Sequence, residues 1–430
     1  MKIAVIGGAG VRTPLLVQGL THSDLPIEEI ALYDTDRERL PIVGGVAAAM
    51  SAGARVTAAA SVEECVAGAS FVFTSIRVGG LERRIRDEGT SQRHGVAAQE
   101  TVGPAGFAMA SRTIAPMVDY AREIDRIAPL AWIINFTNPV GMVTEAMRSV
   151  SRRVIGICDT PTELFEEVAL ALGLESSRCY FDYFGLNHLG WLREVYHQGV
   201  PQLRRLFDDL DLLRSIYRVP LFDAQDLREL RLLPTEYVYY YDQPHRAFEN
   251  VRRAGQTRGE AIARLTRTLF DRLRVPGADK VALYHAYLSA RSAGYMQIES
   301  GGEPRAPSAA TELSGYDKIA LSVVSAIHFD ANAIVPLSVA NHGNIPDLLP
   351  GDVVEVPCLV NANGALPLHV GPVPGRIRPL LFRVKDYERR TVAAALARSP
   401  ERAREALAAN PLVPDPATAE RLVDELSPLW

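Results

Sequence analysis

The sequence predicts an α/β fold in which a doubly wound parallel sheet is followed by a mixed α/β domain. Short apolar runs, typical of strands buried on both faces, alternate with helical stretches over the first 160 residues. Beyond that point, hairpin-like strands and longer amphipathic stretches replace the alternation. A chain of 430 residues also favours two packed domains over a single core. The predicted boundary follows the fifth strand and gives domains of residues 1–158 and 159–430.

The individual elements follow from the hydrophobic periodicity. In the first domain, strands are predicted at 2–7, 30–33, 70–74, 131–136 and 154–157, and helices at about 36–52, 106–127 and 139–150. In the second, the pattern predicts a helix at 162–173, a hairpin within 178–195, charged helical sequence at 200–232, a helix at 258–273, short strands within 352–384 and closing helices over 386–430. Strands that alternate with helices indicate β-α-β crossovers and therefore a parallel sheet.

The composition is that of an ordinary soluble globular protein, with 47% apolar and 23% charged residues. A net charge of -5 argues against nucleic acid or an anionic membrane as the main partner. No apolar run reaches 18 residues, so no transmembrane helix is expected. The N-terminal apolar run resembles a first strand rather than a signal peptide. We therefore expect a cytoplasmic protein with reduced thiols at its four cysteines, Cys65, Cys158, Cys179 and Cys358.

A glycine-rich turn follows the first predicted strand. Gly7, Gly8 and Gly10 would let the backbone approach a pyrophosphate at the N-terminus of the next helix. The full G-x-G-x-x-G pattern is absent because a Thr-Pro pair at 13–14 stands where the last glycine would be. Taken alone, the turn is equally compatible with an ordinary strand–helix connection. Asp34 favours a nucleotide site, because a carboxylate at the end of the second strand can accept hydrogen bonds from the ribose hydroxyls. The same carboxylate would repel a 2′-phosphate, which predicts NAD rather than NADP.

Polar groups with metal-binding chemistry stand at strand ends. Cys158 and Asp159 end the fifth strand, and a thiolate with an imidazole such as His188 can bind a divalent transition metal. A buried thiol and a structural histidine are the plain alternative. Asp159 and Asn187 weaken that alternative because each places a polar group beside a candidate ligand. Asn138 is either a turn-former before proline or a donor to a substrate hydroxyl.

Four tyrosines fall within five residues, at Tyr237, Tyr239, Tyr240 and Tyr241. Most of them are expected to pack as an aromatic edge. One could act as a base if a metal ion and a positively charged nicotinamide ring lower the pKa of its phenol.

These features, in this order, resemble glycoside hydrolase family 4, and most closely its 6-phospho-β-glucosidase branch. The resemblance rests on Lys-Ile-Ala-Val-Ile-Gly-Gly at 2–8, Tyr-Asp at 33–34, Arg-Val-Gly-Gly at 77–80, Gln-Glu-Thr at 99–101, Thr-Asn-Pro at 137–139, Cys-Asp at 158–159, Asn-His at 187–188, the tyrosine run, Asn-His-Gly-Asn-Ile-Pro at 341–346 and Val-Glu-Val-Pro at 354–357. It spans most of the chain. It implies a Rossmann-type NAD domain related to lactate and malate dehydrogenases, a substrate- and metal-binding α/β domain, NAD, and a divalent cation, usually Mn²⁺.

The resemblance also implies roles for single residues. Cys158 and His188 correspond to the metal ligands, and Asp159 to the acid that assists departure of the leaving group. Asn138 corresponds to a contact to the sugar hydroxyls beside the metal, and Arg84 to an arginine near the substrate.

Tyr237 aligns best with the base of the family, and Tyr240 is the alternative because the register of a tyrosine-rich run slips easily. In the implied reaction, NAD⁺ takes hydride from C3 of the sugar and the tyrosine removes the C2 proton. The substituent at C1 is then eliminated, water adds, and the hydride returns. The family is a recognised exception to hydrolysis by two carboxylates.

The sequence departs from the family at the substrate phosphate. Gly10 replaces a serine that contacts the 6-phosphate in many members. Arg12 is a candidate for a substitute charge, and Arg258 matches an arginine that the family uses near the phosphate. Two guanidinium groups suit a phosphate, and they suit a carboxylate almost as well.

A 6-phospho-β-glucoside is therefore the expected substrate, with a non-phosphorylated or uronic-acid glycoside as the alternative. An NAD-dependent hydroxy-acid dehydrogenase and a catalytically inactive sugar sensor are rival functions, and the paired Cys158 and His188 argue against the sensor. A homodimer or homotetramer is expected.

Overall fold

The computed structural model describes residues 1–217, 219–302 and 315–429. Its strands are β1 Lys2–Ile6, β2 Glu29–Tyr33, β3 Arg55–Ala58, β4 Ala69–Thr74, β5 Trp132–Asn135, β6 Val154–Gly156, β7 Cys179–Leu186, β8 Leu189–His197, β9 Val200–Pro201, β10 Leu233–Pro234, β11 Ala333–Ala340, β12 Val353–Asn361 and β13 Gly364–Pro367. Within these residues, no helix combines the length and the apolar character needed to cross a bilayer.

The α-helices are α1 Thr13–Thr21, α2 Arg39–Met50, α3 Val62–Val66, α4 Gly80–Arg93, α5 Gly103–Ile127, α6 Val140–Arg148, α7 Thr160–Ala171, α8 Leu203–Asp208, α9 Leu210–Ser215, α10 Ala224–Leu230, α11 Tyr239–Asp242, α12 Pro244–Ala254, α13 Arg258–Leu273, α14 Lys280–Ala293, α15 Gln297–Ser300, α16 Gly315–His328, α17 Arg378–Ala397, α18 Pro400–Ala409 and α19 Pro416–Leu426. Short 3₁₀ helices cover Ser176–Arg178 and Glu236–Val238.

Six parallel strands form one side of the nine-stranded main sheet, in the order β3-β2-β1-β4-β5-β6. This is the strand order of a Rossmann fold, and it confirms the predicted doubly wound sheet. Residues 3–6 of β1 are at most 1% exposed, as a strand covered on both faces requires. The edge strand β3 was not predicted. Its four residues are partly or fully exposed and lack the apolar run by which buried strands are detected.

Strands from the second half of the chain extend the same sheet. β11 pairs antiparallel with β6 through Ser338 and Gly156, and β12 and β13 follow outward. A Cβ at Gly156 would lie 2.5 Å from Thr144 Oγ1 and 2.8 Å from Ser338 Cβ, so a side chain there would prevent this junction. The sheet thus joins segments on both sides of the predicted boundary at residue 158, which stays a prediction.

A second, antiparallel sheet has the order β10-β8-β7, with β9 paired to β8. The hairpin β7–β8 confirms the strands expected within 178–195, and its turn consists of Asn187 and His188. A separate apolar core that includes Leu164, Phe165, Tyr183, Leu192 and Leu206 supports this sheet. Two predicted ranges were too broad. Residues 200–232 contain three short helices, and the strands expected within 352–384 end at Pro367.

Candidate active site

One cavity of about 650 Å³ lies at the carboxyl ends of the parallel strands. All the predicted site residues except Gly8 and Arg258 line it, namely Gly7, Gly10, Asp34, Arg84, Asn138, Cys158, Asp159, His188 and Tyr237. Ligands of open α/β sheets bind in this position because the loops that follow parallel strands converge there.

The glycine turn forms one end of the cavity. The backbone N–H groups of Gly7 and Gly8 both donate to Tyr33 O at 2.9 Å. Gly7 has a φ of +94°, a left-handed conformation that glycine adopts without strain. A Cβ at Gly8 would lie 2.8 Å from Leu32 Cβ, so Gly8 serves close packing of the turn on β2 and does not face the cavity.

Asp34 is fixed at the end of β2, beside this turn. Its Oδ2 accepts from Ala9 N and its Oδ1 from Asp36 N, each at 2.9 Å. An ionised carboxylate has about four acceptor sites, so two hydrogen bonds leave lone pairs for vicinal hydroxyl groups in the cavity. The turn, the N-terminus of α1 and Asp34 together have the geometry of a dinucleotide site.

A sulfur, a nitrogen and an oxygen donor line the same cavity from three separate loops. Cys158 follows β6, His188 lies in the β7–β8 turn, and Asn138 follows β5. Asn138 Oδ1 is buried and has no hydrogen-bond partner among the described residues, so it is available as a ligand. The described part of the chain contains no group of three His, Cys, Asp or Glu arranged around a metal position. The three donors fit a divalent transition metal with open coordination positions.

Burial controls protonation at these donors. It lowers the pKa of His188 to about 4, so the imidazole is neutral, as a metal ligand must be. It raises the pKa of the Cys158 thiol well above its ordinary value, and the nearby carboxylates of Glu355 and Asp159 add to the rise. A bound cation acts in the opposite direction because it favours the thiolate.

Tyr237 is the member of the tyrosine run that lines the cavity. Its ring stacks on that of His188, with 3.9 Å between centroids and 10° between planes. By contrast, Tyr239 OH donates to Glu299 O and Tyr240 OH to Met296 Sδ, and both residues are at most 1% exposed. Burial raises the pKa of Tyr237 well above its ordinary value, so a nearby positive charge is needed before the phenol can act as a base.

Asp159 faces the cavity from the N-terminal end of α7 and pairs with Arg12. Arg12 Nη1 donates to Asp159 Oδ2 at 3.2 Å, and the guanidinium lies 5.0 Å from the centroid of the Tyr316 ring. Burial opposes the charge of Arg12, but Asp159 raises the pKa of the guanidinium above its usual range. Arg12 therefore holds the carboxylate of Asp159 in place.

Arg84 belongs to a buried ion-pair network. Its Nε donates to Glu88 Oε1 at 2.8 Å and its Nη1 to Glu100 Oε2 at 2.7 Å. Arg77 also pairs with Glu100. Burial alone would raise the pKa of Glu100, but the two guanidinium groups lower it to about 2. Glu100 is thus ionised at neutral pH, and it balances part of the positive charge of Arg77 and Arg84.

Arg258 is not among the residues that line the cavity. Its Nη2 donates to Arg291 O at 2.6 Å, and its predicted contact to the substrate stays a prediction. Arg291, on α14, does line the cavity. Its Nη1 donates to Tyr287 OH at 3.1 Å, and it forms no ion pair within the described part of the chain.

Comparison with known proteins identifies the family. The family described as "Family 4 glycosyl hydrolase" matches residues 2–174, and "Family 4 glycosyl hydrolase C-terminal domain" matches residues 183–413. The chain belongs to glycoside hydrolase family 4. This family 4 enzyme is 30% identical to a 6-phospho-beta-glucosidase of Thermotoga maritima, over 99% of this chain and 97% of the relative.

Solved structures agree with the family and the fold. The 6-phospho-beta glucosidase of Thermotoga maritima, solved with manganese, NAD⁺ and glucose-6-phosphate, matches with a TM-score of 0.84 and 29% identity, over 99% of this chain and 97% of that one. A malate dehydrogenase of Cryptosporidium parvum matches with a TM-score of 0.53 and 12% identity, over 92% of this chain and 99% of that one. The second match confirms the predicted dehydrogenase-like fold of this glycoside hydrolase.

Three residues of the family 4 enzyme were not predicted as parts of the site. Glu100 and Glu355 lie in motifs that carried the family resemblance, but those motifs do not indicate that Glu100 pairs with Arg84 or that Glu355 binds Asn187. Glu355 Oε1 accepts from Asn187 Nδ2 at 3.0 Å and so supports the turn that holds His188. The sequence gives no indication that Arg291 lines the site, because an arginine on an amphipathic helix is ordinarily a solvated charge.

Proposed function

We propose that this enzyme hydrolyses 6-phospho-β-glucosides with NAD⁺ and a divalent cation, Mn²⁺ in particular. The observation that carries the proposal is the single cavity that joins the glycine turn and Asp34 to Cys158, His188 and Asn138. A relative 30% identical over nearly the whole chain is a 6-phospho-beta-glucosidase, which supports the substrate class. Its structure with manganese, NAD⁺ and glucose-6-phosphate supports the cofactors.

In this proposal the glycine turn and Asp34 hold the dinucleotide, while Cys158, His188 and Asn138 hold the cation. When bound, NAD⁺ would supply a hydride acceptor for C3 of the sugar, and the cation would supply a Lewis acid. The other steps fall to side chains of the enzyme.

Tyr237 removes the proton from C2. It is the one tyrosine of its run that reaches the cavity, and its ring lies against His188, beside the donors for the cation. Positive charge at that position lowers the pKa of the phenol, as the role of a base requires.

Asp159 assists departure of the aglycone from C1 by donating a proton to the leaving oxygen. Its carboxylate faces the cavity next to Cys158 and is oriented by Arg12 at 3.2 Å. Hydrolysis would be completed by addition of water across C1 and C2, which restores the proton at C2, and by return of the hydride to C3.

Arg291 binds the 6-phosphate, together with the Arg84 network. The guanidinium of Arg84 is shared between Glu88 and Glu100, whereas that of Arg291 carries no ion pair within the described residues. Arg291 can therefore take over the anion recognition that the family serine, replaced here by Gly10, would otherwise provide.

We expect Arg291→Ala to raise KM for a 6-phosphorylated substrate about 10- to 100-fold, because a hydrogen bond to a charged group contributes about 1.5–3 kcal/mol and 1.4 kcal/mol is tenfold. Steady-state kinetics measure the effect. Lys280→Ala is the matched control, since it removes an exposed cation from the same helix. A KM that rises equally for phosphorylated and unphosphorylated substrates would contradict the assignment.

A panel of nitrophenyl glycosides tests the proposed function. It contains α- and β-glucosides with and without a 6-phosphate, and a glucuronide, each supplied with NAD⁺, Mn²⁺ and a reductant. We expect the 6-phospho-β-glucoside to be hydrolysed fastest. Preference for the glucuronide or for an unphosphorylated glucoside would replace the substrate class, and hydrolysis of none of them would overturn the proposal.

A further inference from the structure

The loop between α4 and α5 contacts the predicted metal ligand His188 directly. Gln99, Thr101 and His188 are each 7% exposed, so their hydrogen bonds form away from bulk water. The backbone of Thr101 packs against the first turns of α5, where a Cβ at Gly106 would come within 2.4 Å of Thr101 C and O. This close packing fixes the position of the Thr101 backbone, and the hydrogen bond to Gln99 Oε1 orients the Thr101 hydroxyl.

Gln99 receives three hydrogen bonds at one atom. Its Oε1 lies 2.5 Å from Thr101 N, 2.6 Å from Val102 N and 2.9 Å from Thr101 Oγ1. Backbone N–H groups only donate, so the atom that faces them is the amide oxygen and not the amide nitrogen. That oxygen can only accept, and the Thr101 hydroxyl therefore donates its single proton to Gln99.

The Thr101 oxygen is thereby left as an acceptor toward His188. It lies 2.9 Å from His188 Nδ1. If Nδ1 carried no proton, two lone pairs would face each other at this distance. The arrangement is favourable only when Nδ1–H donates to Thr101, and a neutral imidazole then has its lone pair on Nε2.

We propose that Gln99 and Thr101 are positioning residues that hold His188 as the Nδ1–H tautomer and so present its Nε2 lone pair to the cation. The inference rests on the proposed function, in which His188 is a ligand. The stacked ring of Tyr237, at 3.9 Å, fixes the plane of the imidazole, and the hydrogen bond to Thr101 fixes which nitrogen is free. Outer partners of this kind commonly contribute about 10- to 100-fold to metal affinity.

Thr101→Val tests the inference, because it removes the hydroxyl and keeps the shape of the side chain. Mn²⁺ is titrated into nucleotide-free protein, and the unbound ion is followed by electron paramagnetic resonance. We expect Kd to rise about 10- to 100-fold in Thr101→Val and to stay near the wild-type value in Thr101→Ser, which restores the hydroxyl. The thermal unfolding midpoint of each variant shows whether the fold is kept.

The tautomer is read independently of any variant at Thr101. Long-range ¹H–¹⁵N spectra of histidine-labelled wild-type protein distinguish the two neutral tautomers, and the signal missing from His188→Ala assigns the residue. We expect the Nδ1–H pattern. An Nε2–H pattern, or a folded Thr101→Val that binds Mn²⁺ as the wild type does, overturns the positioning role.

His188→Ala separates this inference from the proposed function. If His188→Ala binds Mn²⁺ with unchanged affinity, His188 is not a ligand, and the metal assignment in the proposed function fails. If His188→Ala loses Mn²⁺ while Thr101→Val retains it, the ligand assignment stands and only the role of Gln99 and Thr101 is wrong.

Discussion

Cys158→Ser and His188→Ala are each expected to reduce cation-dependent hydrolysis by more than about 100-fold. Loss of a residue that only hydrogen-bonds a metal ligand lowers activity by about 10- to 100-fold, and loss of a ligand itself should have a larger effect. Among the residues that the structure describes, we assign Cys158, His188 and Asn138 as the donors to the cation. Serine is a poor substitute for a thiolate toward a transition metal, and alanine supplies no donor. The measurements are the hydrolysis rate across a Mn²⁺ titration and the Kd for Mn²⁺.

The fold should survive both changes. Serine differs from Cys158 by one atom. His188 has a φ of +63°, and its replacement by alanine, another non-glycine residue, adds none of the backbone freedom that glycine would bring. Cys179→Ser is the matched thiol control, because Cys179 is only partly buried and does not line the cavity, and its rate should be unchanged. A serine variant at position 158 that keeps near-native rates at ambient Mn²⁺ would show that the ligand assignment is wrong.

Tyr237→Phe is expected to lower turnover by about 10²- to 10⁴-fold, the usual effect of losing a general base. The change removes only the hydroxyl, so the ring should keep its stacking on His188. Exchange of the C2 hydrogen with solvent deuterium should fall in parallel, since the same proton transfer governs it. Steady-state kinetics and exchange measured by mass spectrometry give the two readouts.

Tyr240→Phe is the matched control. The Tyr240 hydroxyl contacts Met296 Sδ at 3.9 Å inside an apolar cluster, and the residue is 1% exposed. Its loss should have a mild effect on turnover. If Tyr240→Phe instead stops exchange, the base is Tyr240. If neither variant does, the base lies outside the tyrosine run.

The parts of the site that lie directly after strands could be predicted from the sequence. Asp34, Asn138 and Cys158 each follow a short apolar run, and parallel strands bring their carboxyl ends to one edge of the sheet. Local sequence thus determines both the strand and the position of the polar group after it. The strands predicted before these three residues are confirmed, because each of them is such an apolar run.

The remaining features depend on contacts between distant segments. Nothing near residue 338 indicates that β11 pairs with β6 and extends the parallel sheet with antiparallel strands. Arg291 reaches the cavity because α14 lies beside it, and Glu355 acts through Asn187 across two sheets. Contacts of this kind depend on tertiary packing, and the residues near each position in the sequence do not indicate them.

We expect the hydride removed from the sugar to be returned to it, so that NAD⁺ acts as a catalyst. Protein freed of nucleotide is supplied with Mn²⁺, substrate in excess and NAD⁺ in small amounts, and released sugar and NADH are measured together. We predict no hydrolysis without NAD⁺, many product molecules for each NAD⁺ added, and no net accumulation of NADH. Full turnover by nucleotide-free protein would contradict a catalytic role of NAD⁺. So would one NADH formed for each product, which is the behaviour of a dehydrogenase.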